Sequence, residues 1–303
     1  PHVEGYKLEG KLFVGGVADN AKFFDQIRRQ LVYQTCRAPG MPTGVLRAYE
    51  AYLGNLKVYN CVAGGMGTPY VRLCGIPQGC PFSMTNVALI MRPWILMVKE
   101  YTGISCFILA DDVLIIGTGM KTLTKCAGAL NATHVYLHQM GAKVAPDKSY
   151  NFASSLKAKK WLTETTWEHI ENSIRVITDF RYLGAHLTTR HAASSSTMDK
   201  RWDKAKQHRR RLRRCPASTE AKAKVILAKV YTGAMYGVEA ASVSPTKTGS
   251  LAAAVIDVFK SRNNNHNANQ FFSTITKRKN GLDPSAQIFA RSVSQVRRTA
   301  CKK

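Results

Sequence analysis

The chain has 303 residues, 45% of them hydrophobic, and its 44 Lys and Arg against 19 Asp and Glu give a net charge of +25. That length supports a sizeable core in one large domain or two smaller ones, and the lack of any run of about 18 apolar residues excludes a membrane-spanning helix. So basic a balance implies a polyanionic partner, nucleic acid ahead of an anionic membrane.

Leu12 to Ala18 is a buried strand ending at Asp19, and Phe23, Ile27 and Leu31 then share a helix face. Val45, Ala48, Tyr49 and Tyr52 predict a second helix. Leu56–Val62 and Tyr70–Leu73 predict two strands around Gly64-Gly65-Met66-Gly67. A long helix starts near Ser83, read as its N-cap. Ile104–Ala110 and Val113–Ile116 are short apolar strands, and 119–140 is a helix. Segments near 144–152, 158–163 and Tyr182–Leu187 read as extended. This order predicts an α+β fold, an antiparallel sheet with helices on one face. Beyond the junction Ser194-Ser195-Ser196-Thr197 the pattern is mostly helical, giving domains at 1–189 and 190–303. The second holds 24 Lys and Arg against six acids. Its final stretch, Asn263 to Lys303, is rich in Asn, Lys and Arg and predicts poor order.

The eight cysteines show no zinc-knuckle spacing, which predicts reduced, buried thiols and a nuclear or cytoplasmic setting rather than a secreted one. His134 and His138 stand four apart on a predicted helix without a third ligand nearby and read as structural. The N-terminus, Pro1-His2-Val3-Glu4, is neither a signal nor a transit peptide, and its lack of an initiator Met predicts a fragment.

The chemistry concentrates at Ala110-Asp111-Asp112-Val113. Adjacent carboxylates between apolar strands are costly, and a hairpin turn ordinarily prefers Gly or Asn beside Asp. A hard cation such as Mg²⁺ would neutralise them; an ordinary acidic turn is the alternative. Asp19, also at an apolar strand end, favours the cation. If the strands are neighbours, Asp19 and Asp111 converge and could hold two metal ions about 3.5–4 Å apart, as in polymerases and nucleases.

At this point the sequence resembles the reverse transcriptases of non-LTR (LINE-like) retrotransposons. Asp19-Asn20-Ala21-Lys22-Phe23-Phe24-Asp25 is similar to their motif A. Gly75-Ile76-Pro77-Gln78-Gly79-Cys80-Pro81-Phe82-Ser83, with Asn86 beyond, is similar to motif B, and Leu109-Ala110-Asp111-Asp112 to motif C. Gly141 through Pro146-Asp147-Lys148-Ser149 resembles motif D, and Tyr182-Leu183-Gly184 resembles motif E, the primer grip. The resemblance implies a right-hand palm followed by a basic helical thumb. It implies an RNA-directed DNA polymerase that adds dNTPs to a DNA primer on an RNA template, with two Mg²⁺ ions or Mn²⁺ in their place. Asp19 and Asp111 become the metal ligands, Asp112 the partner acid, and Lys148 the general acid for pyrophosphate. Phe24 becomes the steric gate against a ribose 2′-OH, and Gln78 and Gly79 the nucleotide-contacting loop. Viral RNA-dependent RNA polymerases usually carry Gly before the Asp pair and Asp at the gate; Ala110 and Phe24 lean instead to deoxynucleotides.

The resemblance continues through a basic helix, Trp202 to Arg214, and through Ala234-Met235-Tyr236-Gly237-Val238-Glu239. Lys204, Lys206, Arg209, Arg210, Arg211, Arg213 and Arg214 are expected to contact duplex phosphates. Departures are Leu109, where relatives carry Tyr or Phe, and the short stretch before motif A, which implies that the fingers are largely missing. A non-catalytic, nucleic-acid-binding relic or domesticated copy of the same fold is the alternative.

Overall fold

The computed structural model describes residues 2–119, 121–170, 173–190, 196–240, 243–259, 267–275 and 281–301. They form two compact units, residues 6–178 and residues 179–303 with the first five. The division falls ahead of the expected 189/190 boundary because the Tyr182–Leu187 segment folds back on itself and packs with the helical unit.

The first unit is built on a four-stranded antiparallel sheet: β1 (Phe13–Ala18), β2 (Ile104–Leu109), β3 (Asp112–Thr118) and β4 (Tyr150–Ala153), in the spatial order β4-β1-β3-β2. Both central strands are apolar over most of their length, and every residue of β1 is buried, so neither shows polar alternation. The register sets Ala18 across from Val113, so β1 ends where β3 begins. The strands pack with the helices Ser83–Lys99 and Thr122–Gln139 around Val14, Ile115, Leu130 and Trp94, and the Trp94 indole donates to Thr133 Oγ1 at 2.9 Å.

The sheet closes tightly at Gly15, where a Cβ would run into the Ile115 carbonyl and the Phe152 ring. Gly15→Ala is therefore expected to cost about 1–3 kcal/mol or more by overpacking the sheet, read as a lower denaturant midpoint.

Several elements differ from the sequence reading. The face of Phe23, Ile27 and Leu31 is interrupted at Ile27 and Arg28, giving helices Phe23–Gln26 and Arg29–Arg37. Helix Thr43–Gly54 buries Leu46, Tyr49 and Leu53, leaving Val45 and Tyr52 exposed. The strands expected around Gly64 shrink to exposed two-residue pairings, Lys57–Val58 with Tyr70–Val71 and Cys61–Val62 with Gly65–Met66. Ser83 is not the N-cap: Phe82 holds that position and Ser83 Oγ donates to the Pro77 carbonyl at 2.7 Å. The segment expected to be extended at 158–163 lies in helix Leu156–Glu164. It is rich in Lys, Ala and Leu, and its cap Ser155 accepts from the Ala158 amide at 3.1 Å.

The second unit opens with a hairpin, β5 (Asp179–Tyr182) and β6 (Ala185–Thr188). Helices follow at Ser196–Arg214, Thr219–Val225, Pro245–Phe259, Ala268–Thr274 and Pro284–Ala300, around Trp202, Tyr231, Met235, Leu251 and Phe272. Of the expected junction, Ser194 and Ser195 lie outside the described residues, and Ser196 opens the first helix. The final stretch is helical over 268–274 and 284–300, its Phe271, Phe272 and Leu282 anchored to this core; residues 263–266, 276–280 and 302–303 lie outside the described residues.

Thiol burial holds only for Cys36 and Cys126; Cys61, Cys74, Cys215 and Cys301 are exposed. Among the described residues, no helix is long and apolar enough to cross a membrane.

Candidate active site

The antiparallel register brings three carboxylates to one end of the sheet. Asp19 follows the last residue of β1, Asp111 lies in the turn between β2 and β3, and Asp112 opens β3 opposite Leu109. That turn has only two central residues. Ala110 adopts φ +55°, a left-handed conformation that hairpins ordinarily assign to Gly. Such strain, of order 1–3 kcal/mol, is characteristic of functional sites.

A third segment is bolted to Asp19. The Asp19 amide donates to Ser149 Oγ at 3.1 Å, and the Ala145 amide donates to the Asp19 carbonyl at 2.8 Å. Asn20, buried beside it, donates through Nδ2 to the Asp111 carbonyl at 3.4 Å. The turn over 145–149 thereby carries Asp147 and Lys148, both exposed, within electrostatic reach of Asp19.

Desolvation, above all, holds the Asp19 carboxyl above its usual value; Lys148 pulls it down, and Asp111 and Asp147 push it up. Desolvation likewise raises Asp112, with Asp111 and Asp19 adding to it. Asp19, Asp111, Asp112 and Lys148 thus share one field, with Asp147 as a fourth acid that the sequence motif does not single out.

Among the described residues, no three His, Cys, Asp or Glu side chains gather into a metal cage. Mg²⁺ does not require one, because it is commonly held by one or two carboxylates together with substrate phosphates. A crowded, partly desolvated set of carboxylate oxygens fits a hard divalent cation shared with a polyphosphate.

Phe24 and the Gln78-Gly79 loop are joined through the backbone. The Ile76 amide donates to the Phe24 carbonyl and the Gly75 amide to the Ile27 carbonyl, both at 2.8 Å. Arg29, buried, donates to the Gly75 carbonyl at 2.9 Å and to the Leu53 carbonyl at 2.6 Å, a clamp that no sequence pattern singles out. Phe24 is half-buried, edge-on to Phe23, while Gln78 and Gly79 are exposed. Asn86 is internal, donating to Tyr49 Oη at 3.1 Å.

His134 and His138 face different partners. His134 is buried edge-on to Trp167, and burial lowers it to about 4; His138 stacks on His169 with ring centroids 4.1 Å apart.

In the second unit, helix Ser196–Arg214 buries Met198, Trp202 and Ala205. The seven cations expected to face phosphate divide accordingly. Arg209 and Arg213 both pair with Asp257 of helix Pro245–Phe259 at 3.2 Å, and Lys206 with Asp203 at 3.5 Å. Lys204, Arg210, Arg211 and Arg214 lie exposed, away from the Trp202 side. Tyr182 ends β5, and Leu183 and Gly184 form the hairpin turn.

The antiparallel sheet with helices packed on it, and with acidic residues at its hairpin turn, is a palm-like α+β fold of the kind found in nucleotide polymerases. Over residues 7–187 the chain matches the family model described as reverse transcriptase (RNA-dependent DNA polymerase), and it belongs to that family. No curated protein sequence matches it. Similar solved structures include apo telomerase from Candida tropicalis, at 9% identity and a TM-score of 0.48, covering 97% of this chain and 52% of that one. Telomerase from Candida albicans with a TWJ fragment of telomeric RNA gives 11%, 0.44, 96% and 51%. The chain spans about half the length of these telomerases. The family assignment rests on the family model rather than on these distant likenesses.

Proposed function

We propose that this chain is the polymerase part of a non-LTR retrotransposon reverse transcriptase, adding dNTPs to a DNA primer on an RNA template. The observation that carries the reading is the convergence of Asp19 with Asp111, Asp112 and Lys148 at one end of the sheet. The non-LTR assignment is supported by Asp-x-x-Lys-x-Phe-Asp at 19–25 and by Ala234 to Glu239 beyond the palm.

Asp19 and Asp111 would hold two Mg²⁺ ions, or Mn²⁺, with Asp112 as their partner acid. Bound there, the metal supplies charge neutralisation at the phosphates and a lowered pKa for the attacking hydroxyl. Lys148 stands beside Asp19 to donate a proton to the departing pyrophosphate. Gln78 and Gly79 line the approach of the nucleotide, and Phe24 presses on its sugar. The remaining catalysis is positioning and electrostatics, as in phosphoryl transfer generally.

Primer extension on an RNA template with Mg²⁺ and dNTPs tests the reading; duplex binding without any extension would favour a non-catalytic relic. Phe24→Ala is expected to raise ribonucleotide incorporation roughly tenfold to a hundredfold, the range steric pockets command. An unchanged ratio of dNTP to rNTP incorporation would remove the gate assignment.

A further inference from the structure

The segment Ala234 to Glu239 has no part in the catalysis described above, yet the structure ties it to the Leu183-Gly184 turn. Leu183 and Gly184 adopt φ +46° and +82°, the two positive values of a type I′ hairpin turn. Gly suits its place; Leu183 does not, and a strained residue of this kind persists where its surroundings fix it.

Those surroundings are Tyr236 and Arg201. Tyr236 Oη donates to the Leu183 carbonyl at 2.9 Å. Its ring lies against Gly184 so closely that a Cβ there would come within 2.5 Å of Tyr236 Cε1. Arg201, from helix Ser196–Arg214, donates through one nitrogen to the Gly184 carbonyl and through another to the Tyr236 carbonyl. Its guanidinium lies 5.3 Å from the centroid of the Tyr236 ring. Arg181 of β5 adds a second positive charge near it. Leu183 and Tyr236 nevertheless remain 40% and 51% exposed, so the braced turn and part of the ring are still reachable from solvent.

We infer that Tyr236 and Arg201 are positioning residues that hold the Leu183-Gly184 turn in its left-handed form so that it can support the primer strand. The inference rests on the polymerase reading above. A partly exposed aromatic ring, an apolar turn residue and adjacent cations match a nucleic-acid strand, whose sugars and bases pack on rings while its phosphates meet guanidinium groups.

The test uses the 303-residue chain with a fluorescent DNA primer annealed to an RNA template, measuring binding by anisotropy and extension separately. Tyr236→Phe keeps the ring and removes one hydrogen bond to Leu183. Its affinity for the primer–template is expected to fall about fivefold, while KM for dNTP and the melting temperature stay near wild type. Tyr236→Ala and Arg201→Lys should lose more affinity, and Gly184→Ala should be partly rescued by Tyr236→Ala, which removes the obstructing ring. Folded Tyr236→Ala and Arg201→Lys variants with wild-type affinity and primer KM would overturn the inference. A wild-type chain that binds the duplex without extending it would instead count against the polymerase reading, with the binding arm still deciding the role of Tyr236.

Discussion

Replacing Asp19 by Asn is expected to abolish nucleotidyl transfer while making the metal-free protein more stable at neutral pH. The activity loss should be at least about a thousandfold, roughly 4 kcal/mol of transition-state stabilisation, if Asp19 is the metal ligand that the proposed function makes it. The stability gain follows from the direction of the shift. The folded-state pKa of Asp19 is raised, chiefly by desolvation. Its stabilising contribution is therefore fully present below the unfolded carboxylate pKa and is lost as pH rises through the folded value. At pH 7 the ionised side chain opposes folding, and Asn relieves that opposition. Thermal melts of the metal-free protein should show the variant above wild type at pH 7, with the gap closing as pH falls through the carboxylate range. Mg²⁺ with dNTP should raise the melting temperature of wild type more than that of the variant. The same sign applies to Asp112→Asn, whose carboxyl is raised by desolvation and by Asp111 and Asp19. A variant less stable than wild type at pH 7 would contradict the electrostatic account of the site.

The acids were legible in the sequence because their cost is local. Two carboxylates between apolar strands, and a third at the end of another strand, are anomalous without any knowledge of the fold. Strands β1 and β3 were legible because buried sheet segments are continuous apolar runs, and the half-buried edge strand β2 was legible by its own apolar run. The supporting residues were not, since their work spans long separations: Ser149 reaches Asp19 across 130 residues and Arg29 reaches Gly75 across 46. Serine and arginine are ordinary surface residues in sequence, and only the closed fold shows them buried against backbone groups. Helix Leu156–Glu164 was misread because its few apolar residues mark a face weakly, and Ser155 as a cap outweighed that pattern. The basic helix reads from its charge and from the family resemblance, and neither can tell a cation facing solvent from one facing Asp257.

That distinction gives the second large effect. Replacing Lys204, Arg210, Arg211 and Arg214 by Gln is expected to weaken binding to an RNA–DNA duplex more than about a hundredfold at low salt. The slope of log affinity against log salt should fall by up to about 3–4, since each neutralised phosphate contributes about 0.9. These four side chains are exposed. Arg209 and Arg213 form the internal control. Both already face the Asp257 carboxylate at 3.2 Å, so part of their charge is spent within the protein. Arg209→Gln with Arg213→Gln should lower the stability by no more than about 1 kcal/mol for partly exposed pairs, read as a slightly lower melting temperature, and should change the salt slope by less than about one. Neither variant set should alter preference among duplex sequences, because phosphate contacts position a duplex without reading its bases. If the fourfold variant keeps the wild-type salt slope, the helix is a solvated face and the phosphate path lies elsewhere on this basic unit. If the Asp257 pair variants lose as much slope as the fourfold variant, the division of the helix into a structural side and a binding side is wrong.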